Sequence, residues 1–362
     1  MKLLKKVENI NRFIVLNLLK LIYKNKKIGL PIDISKINTI LILRYDAIGD
    51  LLVTLNMIDF LYFLKQDLKI DIIASPRNFL LIKNDKRFRN YYIFSGNKWK
   101  YKKELKDIRA NRYDLVISTV FNRTTLAGLI ANYVGKNAIK VHFLEKGREK
   151  LYSVFFNVLI DLEDLRNNKT MLEILVIYVQ RLFGINNNDK IPSTKLFLYD
   201  DNKNFANKYI KNDKRYIIYN ISSGNKYREF SVEKNLELIN YLINTKPEFE
   251  IIIIFAPNDE KVKSIKDNLN EKVIFIDSTN NILDIAALIE KSDYVITPDT
   301  SIVHLSAIYK KSIIYFYSKL ASFPNEWIPY NTEYRVLITN DAEPIEQIEN
   351  EKIFKVFNEF II

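Results

Sequence analysis

Three stretches of this 362-residue chain set acids, hydroxyls and cations where an apolar run gives way to a helical pattern. The first is Leu41-Ile42-Leu43-Arg44-Tyr45-Asp46-Ala47-Ile48-Gly49-Asp50-Leu51-Leu52. A buried strand is expected to end near Arg44, a turn to contain Gly49, and a helix to begin at or just after Asp50. A carboxylate there sits at the positive end of the helix dipole and can take a proton from a bound hydroxyl, or it can simply cap the helix. The second runs from Ser292 to Ser306 and places Asp299, Thr300 and Ser301 at a helix start, with His304 a turn later. Free N–H groups at such a start suit a diphosphate, and His304 can hydrogen-bond a ligand or Asp299; a capped helix with a satisfied histidine is the other reading. The third, Asn220 to Ser231, is a polar loop holding Ser222, Ser223, Gly224, Lys226 and Arg228, fit for phosphate contact or for solvent.

Composition removes most other chemistries. The chain has no cysteine, which excludes disulfides, thiolate zinc sites, Fe–S clusters and a Cys nucleophile. With His142 and His304 its only histidines, a multi-histidine metal centre is excluded as well. The 8 glycines never fall into G-x-G-x-x-G or G-x-x-x-x-G-K spacing, so a dinucleotide fingerprint and a P-loop are both absent. Lys and Arg number 55 against 43 Asp and Glu, and the resulting charge of +12 suits a phosphate-bearing partner. No nucleic-acid-binding motif accompanies that charge, and a chain crowded with Lys, Asn, Ile, Tyr and Phe is also what AT-rich coding produces.

The elements that must position these residues can be read from periodicity. Residues 1–30 form a basic amphipathic helix, with Leu3, Val7, Ile10, Ile14, Leu18 and Leu21 on one stripe and Lys5, Asn9, Arg12 and Lys20 opposite. Such a helix can lie in an anionic membrane interface or pack on the protein's own core. Strands are predicted at Thr39–Arg44, Ile70–Ala74 and Leu115–Thr119, with helices at Asp50–Leu64 and Thr124–Tyr133 and a helical region over Arg148–Leu182. The polar stretch Asn186–Pro192 is the best linker. The rhythm then repeats, with strands at Tyr216–Ile221, Ile251–Phe255, Val273–Ile276, Tyr294–Ile296 and Ile313–Phe316. Helices fall at Val232–Asn244, Glu260–Leu269, Ile282–Lys291, Ser301–Tyr309 and Ile345–Phe360. Strands alternating with helices imply parallel sheets covered on both faces.

The three motifs, in this order and spacing, resemble the heptosyltransferase-type glycosyltransferases of family 9 over about residues 38–318. The resemblance implies an α/β chain of GT-B architecture, two Rossmann-like doubly wound domains facing a central cleft. Its parts would be the basic helix at 1–30, an acceptor domain at 31–190, a nucleotide-sugar domain at 191–340 and a terminal helix at 341–362. Asp50 matches the family's proposed catalytic base. Ser222 and Ser223 match hydroxyls near the donor phosphates, Arg228 stands where lysine is usual, and Phe230 stands where tryptophan is usual. Asp299, Thr300 and His304 match the donor-binding D-T-G-x-x-H, and Glu260 matches the acid that touches the ribose. Ser301 replaces the glycine of that motif and Ser318 replaces another, adding side chains where backbone would approach phosphate. Arg228 keeps the charge and binds phosphate bidentately.

The expectation is therefore a cytoplasmic enzyme, peripheral on the inner face of the cytoplasmic membrane. It would be an inverting glycosyltransferase, moving heptose from ADP-heptose to a lipopolysaccharide-core or other lipid-linked or oligosaccharide acceptor. No metal or other cofactor is expected beyond the nucleotide-sugar co-substrate. A GT-B-type nucleotide-sugar epimerase and a non-catalytic nucleotide-sugar or glycan-binding protein are the alternatives.

Overall fold

A computed structural model describes residues 14–362 except 24, 96, 97, 122–124, 167, 187–190, 270–272, 322 and 323. The chain divides into two compact units, one of residues 1–166 with 172–192 and the other of residues 167–171 with 193–362.

In the first unit, α1 (residues 14–22) precedes β1 (Thr39–Leu43), α2 (Ile48–Leu64), β2 (Lys69–Ala74), β3 (Asn90–Ile93), α3 (Lys98–Ala110) and β4 (Leu115–Ser118). Then follow α4 (Leu126–Val134), β5 (Ile139–Phe143), α5 (Glu149–Phe155), β6 (Val158–Ile160) and α6 (Met171–Phe183). The sheet is six-stranded and parallel, in the order β3-β2-β1-β4-β5-β6. Its middle is a run of aliphatic side chains, Ile40 to Leu43 and Leu115 to Ile117 having no exposed surface, as a strand covered on both faces requires. A Cβ on Gly128 of α4 would lie 2.4 Å from the Phe155 ring, so only glycine lets α4 and α5 approach this closely. Gly184, at φ 66°, adopts the left-handed conformation that ends α6.

The second unit holds α7 (Asp200–Asn207), β7 (Arg215–Asn220), α8 (Val232–Thr245), β8 (Phe249–Ile254), α9 (Lys261–Asp267) and β9 (Val273–Phe275). It continues with α10 (Ile282–Lys291), β10 (Tyr294–Pro298), α11 (Ser301–Ile308), β11 (Ser312–Tyr317), β12 (Tyr334–Ile338) and α12 (Asn350–Phe360). Its parallel sheet runs β12-β11-β10-β7-β8-β9. Counted from the first strand of each unit, both sheets therefore share the doubly wound order 3-2-1-4-5-6. In that order the chain reverses its direction of travel beside the first strand, and the loops leaving strands 1 and 4 diverge to open a crevice at their carboxyl ends.

Several boundaries differ from the sequence expectation. The helical region over 148–182 is interrupted by the three-residue edge strand β6, too short for periodicity to register. Strands β3, β5 and β12 carry Asn90, Lys140, His142 and Arg335 among their apolar residues, which hides them from an apolar-run reading. Of the 1–30 helix, residues 1–13 lie outside the described residues, and the described helix spans 14–22. The 345–360 tail is a short 3-10 turn (Ile345–Gln347) followed by α12, whose Ile353, Phe357 and Phe360 are buried in the core of the second unit. Most of the linker, 187–190, lies outside the described residues.

Candidate functional site

At the carboxyl end of β1 the structure corrects the sequence reading in one respect. Helix α2 begins at Ile48, so Gly49 and Asp50 are its second and third residues rather than a turn and a cap. Asp50 still binds the helix start, accepting the Ala47 N–H at 2.9 Å. Its half-buried carboxyl is pushed up to about 6, chiefly by burial; Arg44 opposes the shift, Asp46 adds to it, and the Ala47 N–H opposes it again. An acid with that affinity is ionised at neutral pH yet far more basic than an exposed aspartate.

Beneath it lies a cluster that sequence reasoning passed over. Arg44 is wholly buried, its Nε donating to the Asp50 carbonyl at 2.9 Å and to Thr54 Oγ1 at 2.7 Å. Its Nη1 meets Asp46 Oδ2 at 3.0 Å and also donates to the Thr119 carbonyl beyond β4. The guanidinium lies 4.3 Å from the centre of the Phe121 ring, and Phe121 N–H donates to Asp46 at 3.2 Å. The arginine thus joins the ends of β1 and β4 to the first turn of α2, at the switch point of the first sheet. The signal available in sequence was an arginine at the end of an apolar strand and a second aspartate four residues before Asp50.

In the second unit the loops after β7 and β10, again the switch-point strands, meet. Arg228 Nη1 lies 3.1 Å from both the carbonyl and the Oδ2 of Asp299. Burial raises the Asp299 carboxyl, while Arg228 opposes the shift. Asn220 at the end of β7 donates to Thr297 at 2.9 Å and to Thr300 at 3.5 Å. Thr300 caps α11 by accepting the Ile302 N–H at 3.3 Å, and Ser301 is the first helical residue, partly exposed. Arg228 Nε is buried without a hydrogen-bond partner among the described residues. A guanidinium held through one nitrogen by Asp299 at a helix start, with its other N–H groups not engaged by that residue, is suited to an anionic oxygen.

The remaining candidates fall in two groups. Ser222 is buried and engaged within the protein, donating to Asp259 and accepting the Ala256 N–H at 2.9 Å. Ser223 bonds its own loop at the Asn225 carbonyl, 2.7 Å away. With Glu229, Asp259, Glu260, Lys261 and Asn280, Ser223 lines a cavity of about 430 Å³ beyond β7 and β8. Lys261 bridges Glu229 at 2.9 Å and Asp259 at 3.5 Å, leaving Glu260 exposed on the rim. His304 does not bond Asp299, whose partner is Arg228; it packs against Trp327 with ring centres 5.7 Å apart, and burial pulls its imidazole down to about 4. Phe230 is core, packed edge-on against Phe316, and the Ser318 hydroxyl ties β11 to the Glu343 carbonyl. His142 is also core, its Nδ1 donating to the Ser118 carbonyl at 3.0 Å. Among the described residues no three His, Asp or Glu side chains are placed to hold a metal ion, and no helix is long and apolar enough to cross a membrane.

Two doubly wound units, each with polar loops at its switch point, have the architecture of a GT-B-type fold. The chain belongs to glycosyltransferase family 9 (heptosyltransferase), whose profile matches residues 101–357. Its fold is similar to that of a family 9 glycosyl transferase from Veillonella parvula, over 92% of this chain and 99% of that one, with a TM-score of 0.77 and 14% identity. The ADP-heptose lps heptosyltransferase II of E. coli is similar over 89% of this chain and 98% of its own, with a TM-score of 0.71 and 12% identity. E. coli heptosyltransferase WaaC with ADP-2-deoxy-2-fluoro heptose is similar over 89% and 99%, with a TM-score of 0.68 and 17% identity. No curated protein sequence matches the chain significantly.

Proposed function

We propose that this glycosyltransferase is an inverting enzyme that takes a heptose from ADP-heptose and attaches it to a lipopolysaccharide-core or related glycan. The observation that carries the reading is the join of Arg228 to Asp299 at the start of α11, beside the acid-rimmed cavity that holds Glu260. In this scheme the diphosphate takes N–H groups of Arg228 that Asp299 does not engage and the first N–H groups of α11, and Glu260 accepts ribose hydroxyls. Ser222 contributes by fixing the loop through Asp259, and Ser223 and Thr300 shape the same rim. His304 acts as an apolar wall with a neutral ring at physiological pH.

On the first unit, Asp50 removes the proton from the acceptor hydroxyl. The freed oxygen pair forms the new bond to the anomeric carbon as the bond to the diphosphate breaks, and the nucleotide leaves with that pair, its charge met by Arg228 and the helix start. Attack opposite the leaving group inverts the anomeric configuration. The bound sugar leaves as a glycoside and the proton on Asp50 passes to water. Family membership favours transfer over epimerisation. Incubating the full chain with ADP-heptose and a lipid-linked core acceptor should release ADP and give a product of inverted anomeric configuration by NMR. Retained configuration, or interconversion of the nucleotide-sugar with no transfer, would overturn the scheme.

The acceptor surface is an anionic membrane in this reading, and α1 supports it. Leu19 and Tyr23 pack on the core of the first unit, while Ile14, Val15 and Leu18 are half exposed and Leu21 and Ile22 are 72% and 67% exposed. Lys20, Lys26 and Lys27 are exposed beside this apolar face, the complement of acyl chains under anionic headgroups.

A further inference from the structure

The buried ion pair under Asp50 is arranged in a way that capping and packing do not require. Arg44 grips Asp50 only by its main chain, at the carbonyl, and gives its charged contact to Asp46 instead. Four of its hydrogen bonds are fixed, to Asp50 O, Thr54, Asp46 and Thr119, and the Phe121 ring covers the guanidinium plane. Asp46 is equally confined, with a side chain 5% exposed and one oxygen shared between Arg44 and the Phe121 N–H. Its Oδ1 and Arg44 Nη2 are buried with no hydrogen-bond partner among the described residues. Such a pair is costly to desolvate, and two leftover polar atoms add to the cost.

We propose that Asp46 acts on Asp50 through Arg44: by holding the guanidinium on its own carboxylate, it keeps that cation from pairing with Asp50 and so maintains an unpaired, proton-accepting carboxylate at the start of α2. Asp46 and Arg44 are on this account positioning residues, and the account rests on the assignment of Asp50 as the base. Physically, a lone arginine within reach of a half-buried carboxylate would bind it bidentately and hold it ionised, at the expense of its basicity. Asp46 prevents this twice, by neutralising the cation and by anchoring it 3.0 Å from its own oxygen. The main-chain bond to Asp50 then lets the same arginine fix the helix start without seizing the side chain. Among the described residues, Arg44 and Asp46 are the charged groups that act on Asp50; the neighbours that hold this pair carry no charge, Ser75 donating to the Asp46 carbonyl, Phe121 N–H to the Asp46 carboxylate and Asn78 to the Arg44 carbonyl, while the Thr119 carbonyl accepts from Arg44.

The test is a carbon-13 NMR titration of the full chain carrying aspartate labelled at the side-chain carboxyl, with Asp50 assigned by the signal lost in Asp50→Asn. In the wild type Asp50 should titrate near pH 6, and in Asp46→Asn its midpoint should fall by about one pH unit, a tenfold loss of proton affinity. The acid limb of ADP release in transfer should move to lower pH by the same amount, with the plateau rate reduced. Should Asp46→Asn not fold, Asp46→Ser offers the second measurement: it too removes the carboxylate that holds Arg44, and the midpoint of Asp50 should again fall. A wild-type midpoint near 4, or a midpoint unmoved in a folded Asp46→Asn, overturns the proposal. Full transfer activity in Asp50→Asn would instead remove the base assignment while leaving the titration result standing.

Discussion

At the scale of single residues, the behaviour of Asp50 separates catalysis from capping. Asp50→Asn keeps the size of the side chain and an oxygen for the Ala47 N–H but loses basicity, so transfer should fall about 10²–10⁴-fold in a folded protein. Stability moves the other way. With the folded carboxyl near 6 and the unfolded value near 3.8, the native state binds the extra proton between those limits, and ionisation removes stability as pH rises through 6. Asp50→Asn is spared that loss and should gain about 1–2 kcal/mol on the wild type between pH 4 and 7, measured by denaturant melts. In the second unit, Asp299→Ala frees Arg228 and removes a group from the α11 turn, so ADP binding by calorimetry should weaken. Ser301→Gly should preserve or tighten it, because the serine side chain stands at the helix start where a diphosphate would approach. A large loss in Ser301→Gly would make the hydroxyl itself a ligand contact.

Whole elements carry two further outcomes. Helix α1 has a core side and an exposed apolar side, and the two should respond differently. Leu18→Asp with Leu21→Asp alters only exposed positions and should abolish sedimentation with anionic liposomes at unchanged melting temperature. Leu19→Asp puts a charge against the core of the first unit and should lower stability by about 2–4 kcal/mol. Equal binding to neutral vesicles would show that the lysines contribute little. In the sheet, buried Asp71 on β2 accepts from Arg89 at 2.7 Å, from Tyr113 at 2.6 Å and from the Asn90 N–H at 3.1 Å, fastening β3 and the approach to β4. Removing the hub leaves those donors unmatched, and Asp71→Ala should cost about 2–4 kcal/mol in urea unfolding. An effect below 1 kcal/mol would mean that water reaches the partly exposed Arg89 and repairs the loss.

For the molecule as a whole, the proposed donor site meets a diphosphate with an arginine and a helix start, so on that proposal transfer should persist in excess EDTA. Turnover measured with and without chelator decides it, and a strict Mg²⁺ requirement would mean that a metal bridges the diphosphate. Apolar runs and their spacing already declared two α/β halves, because strands covered on both faces must be continuously apolar, as Ile40–Leu43 and Ile251–Ile254 are. The three motifs likewise lay at strand ends by sequence alone, which is where doubly wound sheets bind ligands. Strands β3, β6 and β12 were not legible, since edge positions tolerate short or polar segments, and the interior β5 was hidden by Lys140 and His142 in its run.

Pairings between distant segments were settled only by tertiary structure. The sequence determined that Arg228, Asp299 and Thr300 sit on loops at strand ends; the crossing of β7 beside β10 decided that Arg228 reaches Asp299 and that His304 does not. The sequence put Asp50 near a helix start; the pairing of β1 with β4 brought Thr119 and Phe121 against Arg44 and built the ion pair beneath it. Local spacing encodes the element and its polarity along the chain, because those follow from backbone geometry and the side chains of neighbours. Contacts between residues some seventy positions apart depend on strand order, which arises from the packing of the whole sheet and leaves no mark in any single segment.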